Sequence, residues 1–274
     1  QTILNEVELH NRILLTDIAE TLDVSIDTVR RDVKELDAEN KLRKVHGGAV
    51  SLGFTNSSTR NQNVYKLEQK TKIAQKALSL LKPGAVIFID GGTTCSELAR
   101  LIPPNLEITC FTHSLPVASE LLNKSNVNVI IVGGQVSSES QTTIGANAIH
   151  NLSEIRVDFS FIGTGYVDSF YGLTEFDWDI VQVKKAVIKS SKKTVLLSIS
   201  EKLNSQHRYK TCDINAINTM ITELEPEDSL LNSFKNQIRK ARILAISKKQ
   251  LFDKIKLNWI CFLNKKDEIV FLIF

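Results

Sequence analysis

The sequence predicts an α/β protein in two parts: a small N-terminal unit of helices with a β-hairpin, then a larger body on a mostly parallel sheet. Three observations carry this. The chain has 274 residues, enough for two domains at about 150 residues each. Its first sixty residues combine helix-period patterning, a tight turn and an alternating basic segment. From residue 66 on, short apolar runs alternate with helical stretches, the pattern of parallel strands covered on both faces.

In the N-terminal unit, residues 2–9 suit a short helix and NRILL (11–15) a short apolar, partly β-branched segment. Thr16 is placed to cap a helix over 17–22 with an acid in its first turn. Asp23–Val24–Ser25 forms a turn, and Ser25 caps a second helix over 26–39. Ile26, Val29, Val33 and Leu36 recur at three, four and three residues, which puts them on one buried face. At 100° per residue, Asp27, Thr28, Arg30, Arg31 and Lys34 fall on the outward side. In KLRKVHGGAV, Leu42, Lys44 and His46 alternate with Arg43 and Val45, which suits a short hairpin. Two helices joined by a tight turn and followed by a basic wing make a winged helix-turn-helix. The alternative is a three-helix domain for protein contacts.

The stretch V-S-x-x-T-V-R-R-D at 24–32, with H-G-G-A at 46–49, resembles the DNA-binding segment of the DeoR family of bacterial transcriptional regulators. The resemblance implies binding to double-stranded operator DNA, with Ser25, Asp27, Thr28, Arg30, Arg31, Lys34, Arg43, Lys44 and His46 as the candidate contacts. Helix-turn-helix proteins commonly bind paired half-sites, so a homo-oligomer is expected.

Residues 50–64 are rich in Ser, Asn and Thr without apolar period and read as a linker. A helix over 66–81 follows. Strands are expected at 86–90, 107–112, 127–134, 157–164, 194–200 and 216–222, with helices over 94–101, 115–123 and 178–190. In such sheets ligands sit beyond the carboxyl ends of the strands, so the loops there carry the functional signal. Asp90–Gly91–Gly92–Thr93–Thr94 links a strand to a helix, and its N–H groups and hydroxyls form an anion nest suited to a phosphate. The alternative is a tight turn with Thr94 as N-cap. The loop is neither G-x-G-x-x-G nor a Walker loop, so no nucleotide cofactor is expected. Thr112–His113, Gly133–Gly134 and Gly163 occupy the corresponding ends of other strands; a lone His113 also suits a capping or turn role.

The resemblance continues over residues 2–240, in D-G-G-T-T at 90–94, V-G-G-Q at 132–135, G-L-T-E-F-D at 172–177, V-K-K-A-V-I at 183–188 and S-E-K-L at 200–203. It implies a sensor domain similar to ribose-5-phosphate isomerase that binds phosphorylated sugars or related metabolites. Asp90, Gly92, Thr93, Thr94, Lys184 and Lys202 would line the effector pocket, and Gly91 and Glu175 complete the candidate set. His113, Tyr166 and Ile199 depart from the family's usual Asn, Gly and acidic residue.

The expected division is therefore a winged helix-turn-helix over 1–56, a linker over 57–65, a sensor over 66–243 and an extension over 244–274. The net charge of +3 hides that extension's bias: residues 234–274 carry ten Lys/Arg against three Asp/Glu. Apolar residues at 42% and charged residues at 24% exclude a disordered or collagen-like chain. No apolar run reaches the length of a membrane span, QTILNEVELH has no leader pattern, and the four cysteines form no C-x-x-C pair. The expectation is a cytoplasmic protein without membrane, metal or disulfide framework. A ligand-controlled repressor of a sugar operon is the leading reading. A sugar-phosphate isomerase using the same pocket is the alternative, with Asp90, Glu175 and Asp177 as possible bases, although no recognisable catalytic set surrounds them.

Overall fold

The computed structural model describes residues 1–10, 12–52, 64–237 and 242–243. The expected linker therefore lies almost wholly, and the C-terminal extension wholly, outside the described residues.

The N-terminal unit runs α1 (Thr2–His10), β1 (Arg12–Leu14), α2 (Leu15–Leu22), α3 (Ile26–Ala38), β2 (Arg43–Val45) and β3 (Gly48–Val50). Ile3, Val7, Ile13, Ile18, Val29, Val33 and Leu42 form its core. Ser25 caps α3 by accepting from the Thr28 N–H, and Asp23 closes α2 in the left-handed conformation. The basic hairpin is present, with Gly47 at φ +73° in its turn. NRILL does more than expected: β1 joins the hairpin as a third strand in the order β1-β3-β2.

Two local expectations are corrected. Thr16 is not a cap, because the chain passes straight from β1 into α2 with Leu14 at the N-cap; its hydroxyl donates to Asp17. Ile26 is 41% exposed rather than buried, since it opens α3 beyond the reach of the core that holds Val29 and Val33.

The body continues with α4 (Leu67–Leu78), β4 (Val86–Ile89), α5 (Thr93–Leu101), β5 (Ile108–Thr112), α6 (Leu115–Leu121) and β6 (Val127–Ile131). A hairpin of β7 (Gln135–Ser137) and β8 (Thr142–Ile144) leads into α7 (Ala146–Ser153) and β9 (Val157–Ile162). Then come β10 (Tyr166–Asp168), β11 (Gly172–Glu175), α8 (Trp178–Ser190), β12 (Ser191–Leu197), β13 (Tyr209–Cys212), β14 (Thr219–Ile221), α9 (Asn232–Gln237) and β15 (Arg242–Ile243). Seven parallel strands form the sheet β15-β14-β12-β9-β4-β5-β6. Strand alternation divides the core in two. Ile87 and Ile89 pack with Ile73, Leu98, Val117 and Leu121 on one face, while Phe88 packs with Leu152, Val183, Val187 and Phe234 on the other.

The strand expected over 127–134 ends at Ile131. Ile130 and Ile131 are exposed, because β6 is an edge strand without a neighbour beyond it among the described residues. No helix of the described residues is long and apolar enough to cross a membrane.

Strand order positions the site. From β4 the sheet grows one way through β5 and β6, and the other way from β9 through β12 and β14. The two directions part between β4 and β9, and crevices at such reversals, beyond the carboxyl ends of the strands, are where ligands bind.

Candidate functional site

At that reversal a cleft opens, holding about 940 Å³ of empty space including its mouth. Asp90, Gly91, Gly92, Thr93 and Thr94 reach it from the end of β4, Gly163 and Gly165 from β9, Glu175 from β11, Lys184 from α8 and Lys202 from the loop after β12. Gly92 is the N-cap of α5 at φ +106°, ψ 156°, a conformation essentially confined to glycine. The helix thus starts at Thr93, which rules out the alternative of Thr94 as N-cap. Helix geometry leaves the first N–H groups of α5 without intrahelical acceptors, and the cleft lies at their end of the helix.

Behind this loop is a buried charge cluster. Lys184 Nζ lies 2.5 Å from Glu175 Oε1 and 3.4 Å from Asp90 Oδ2, and it donates to the Gly163 carbonyl. His113 Nε2 lies 2.8 Å from Asp90 Oδ1, and its Nδ1 lies 3.0 Å from the Thr143 carbonyl. The Gly91 and Gly163 N–H groups also donate to Asp90. Burial works against the Asp90 carboxylate, but Lys184 and these hydrogen bonds outweigh it and hold its pKa at about 2. Burial opposes the Lys184 ammonium too, yet Glu175 and Asp90 carry its pKa above the ordinary lysine value. Asp90 is therefore a fixed anion that shapes the loop, with its oxygens already engaged.

Lys202 differs. Its Nζ donates to the Thr164 carbonyl at 3.0 Å, and among the described residues no carboxylate lies within ion-pair distance. Burial, opposed by Glu175 and reinforced by Lys184, lowers its pKa to about 8. It is a cation near neutrality with capacity for an anionic guest.

Thr112, Gly133 and Gly134 do not line the cleft, which corrects their selection as site residues. Thr112 is fully buried and donates to the Ile89 carbonyl while accepting from the Ser114 N–H, so it ties two strand ends together. A Cβ on Gly134 would stand 2.7 Å from the Ile144 carbonyl oxygen and 3.0 Å from the Ala148 Cβ, so that glycine permits close packing of the β7–β8 hairpin. His113 packs behind Asp90 and also borders the cleft.

The DNA-facing candidates lie at the surface. Asp27, Thr28, Arg30, Arg31 and Lys34 are exposed along α3, as are Ser25, Lys44 and His46. Arg30 pairs with Asp27, and the Ser25 and Thr28 hydroxyls pair with each other. Arg43 is half-buried and donates to the Ser138 carbonyl of the body.

Sequence reasoning missed that the N-terminal unit reaches this cleft. His10, Arg12 and Val50 form part of its wall. His10 Nδ1–H donates to the Gly165 carbonyl at 3.0 Å, and the ring stacks on Tyr166 with centroids 4.1 Å apart. Asp17 bonds His207 and Arg208 at 2.9 and 2.8 Å. Burial first, then the Lys202 and His207 charges, lower the His10 pKa to about 4, against the opposing bond to Gly165. Among the described residues, Glu6 is the carboxylate within ion-pair distance of the ring, 3.6 Å away. Because the docked pKa lies below the free value of 6.5, neutral His10 supports docking fully above pH 6.5 and that support is lost as pH falls toward 4. The radius of gyration from X-ray scattering should grow over this window while circular dichroism stays native. A constant radius from pH 7 to 4.5 would contradict it.

Comparison with known proteins agrees with both halves. Residues 1–54 match the model of the DeoR-like helix-turn-helix domain, and residues 65–224 match that of the DeoR C terminal sensor domain. The chain is 28% identical over 230 residues to the glycerol-3-phosphate regulon repressor of Escherichia coli strain K12, covering 84% of this chain and 91% of that protein. It is 30% identical over 231 residues to the HTH-type transcriptional repressor GlcR of Bacillus subtilis, covering 83% and 88%. Among solved structures, ribose 5-phosphate isomerase A from Methanocaldococcus jannaschii is similar over 51% of this chain and 55% of that one, at 21% identity and a TM-score of 0.37.

Proposed function

The chain belongs to the DeoR family of transcriptional regulators, a DNA-binding family, and on that premise we propose that it represses a sugar- or polyol-phosphate operon until a phosphorylated effector occupies the cleft. The observation that carries the effector class is the meeting of the α5 N-terminus with Lys202 in one cleft. A phosphate seated on Gly92, Thr93 and Thr94 gains several charge-assisted hydrogen bonds, with Lys202 as its countercharge. The relatives named for glycerol-3-phosphate and for transcriptional repression support the same reading. The isomerase alternative has no support from these relatives, and Asp90, its first candidate base, is already engaged by three hydrogen-bonding groups and by the Lys184 ion pair. The division into residues 1–56, 57–65, 66–243 and 244–274 belongs to this proposal, as do cytoplasmic residence and a homo-oligomer on paired half-sites. Light scattering of the DNA complex tests the oligomer, and a strict monomer would contradict it.

In this reading α3 enters the major groove. Arg31 is the foremost base-reading candidate, exposed and without the Asp27 partner that Arg30 has. A bidentate contact to guanine contributes about 1–3 kcal/mol. In gel shifts on duplexes selected from a random pool, Arg31→Ala should weaken specific binding by that amount and non-specific binding far less. Unchanged affinity for both would remove α3 from the interface.

Release is tested by adding phosphorylated sugars to the selected complex. A phosphorylated sugar should dissociate it at concentrations where its unphosphorylated counterpart does not.

A further inference from the structure

Arg12 stands on the DNA-binding side of the cleft, opposite two carboxylates of the body. Its guanidinium bonds Glu139, at the tip of the β7–β8 hairpin, and lies 3.9 Å from Asp177 Oδ2. It also covers the Phe176 ring, 5.0 Å from the centroid. Its Nε is buried and has no acceptor among the described residues. Asp177 uses Oδ1 to accept from the Asp179 and Ile180 N–H groups, which leaves Oδ2 on the Arg12 side. Arg12, Glu139 and Asp177 all line the same cleft as Lys202 and the α5 N-terminus.

The chemistry of this group selects its guest. One guanidinium and two carboxylates sum to one negative charge, which disfavours a second phosphate. An N–H donor without an acceptor beside carboxylate oxygens suits hydroxyls, each of which both donates and accepts. Building on the phosphorylated-effector reading, we propose that Arg12, Glu139 and Asp177 form a second subsite for vicinal hydroxyls at the effector end remote from its phosphate. The DNA-binding domain then touches the effector directly. Arg12 belongs to one domain and its two carboxylates to the other, so occupancy of the subsite and docking of the domains are linked, each altering the other.

Calorimetry on the full chain tests this with inorganic phosphate and with phosphate monoesters of three-, five- and six-carbon polyols and sugars as probes. Arg12→Ala should weaken the tightest monoester by about tenfold or more, the scale of a lost hydrogen bond to a charged group, and leave inorganic phosphate unchanged. Glu139→Gln, a near-isosteric change at the partly exposed turn of the β7–β8 hairpin, should do the same. If both variants bind the monoester as the parent does, the subsite is overturned and the phosphate reading stands. If phosphate and monoester weaken equally, Arg12 acts on the shape of the cleft, and the subsite is again overturned. If the parent binds no monoester more tightly than inorganic phosphate, the effector class itself is wrong and the subsite falls with it.

Discussion

Lys184→Met is expected to lower the melting temperature by roughly 6–20 °C, the largest loss of stability from any single change in the cleft. The Lys184 side chain is 8% exposed and holds the carboxylates of Asp90 and Glu175, whose side chains are 3% and 7% exposed. Removing one partner of a buried ion pair leaves uncompensated buried charge, which costs about 3–5 kcal/mol. For a chain of this size each kcal/mol corresponds to about 2–4 °C. Methionine keeps the length and the apolar stem, so the loss measures charge rather than volume. Adding Glu175→Gln should restore part of it by removing one of the stranded charges. Asp90 adds a pH signature. Its pKa of about 2 lies below the free value of 3.8, so its contribution is complete above pH 3.8 and is lost as pH falls toward 2. A Lys184→Met protein that melts with the parent would show that the cluster does not hold the loop.

Lys202→Ala is expected to give the largest loss of effector affinity, roughly tenfold to a hundredfold, with little change in stability. A hydrogen bond to a charged group contributes about 1.5–3 kcal/mol. In the folded chain the Lys202 ammonium donates to one carbonyl oxygen, so its removal strands no buried anion. The pH dependence has a definite sign. With a pKa of about 8 in the free protein, Lys202 is protonated below that pH, and a bound phosphate dianion favours the protonated form. Affinity should therefore be level between about pH 7 and 8, where the ester is still a dianion because its second pKa is about 6, and fall above pH 8, by up to about tenfold per pH unit. Lys202→Ala should abolish that slope. A retained slope would assign the countercharge to another group.

Much of the fold was legible because its signals are local. Ile87, Phe88 and Ile89 alternate between the two cores, and the apolar runs that mark the strands of the parallel sheet need no partner to be seen. The β7–β8 hairpin and the small antiparallel sheet β10-β11-β13 were not seen. Their strands are three or four residues long and mostly polar or mixed, too short for a period to emerge. In the cleft, Asp90 to Thr94 stood out as a glycine-rich turn between a strand and a helix. Lys184 and Lys202 came from resemblance and Glu175 stood out only as a possible base, since nothing in their neighbouring residues indicates burial together. Arg12 and His10 gave no signal, because Glu139 lies 127 residues from Arg12 and Gly165 lies 155 residues from His10. Thr112 misled for the opposite reason: a polar residue at a strand end reads as a ligand contact until its hydroxyl is seen bonding Ile89.

Fluorescence anisotropy of labelled operator, selected from random duplexes and bound by the full chain, is the most direct measurement of effector control. The complex is titrated with a sugar phosphate and, separately, with the same sugar unphosphorylated. Only the phosphate ester should lower the anisotropy, and Lys202→Ala should shift that titration to roughly tenfold or more higher concentration. Equal release by both compounds, or a titration that Lys202→Ala leaves in place, would contradict a phosphate site at the α5 N-terminus.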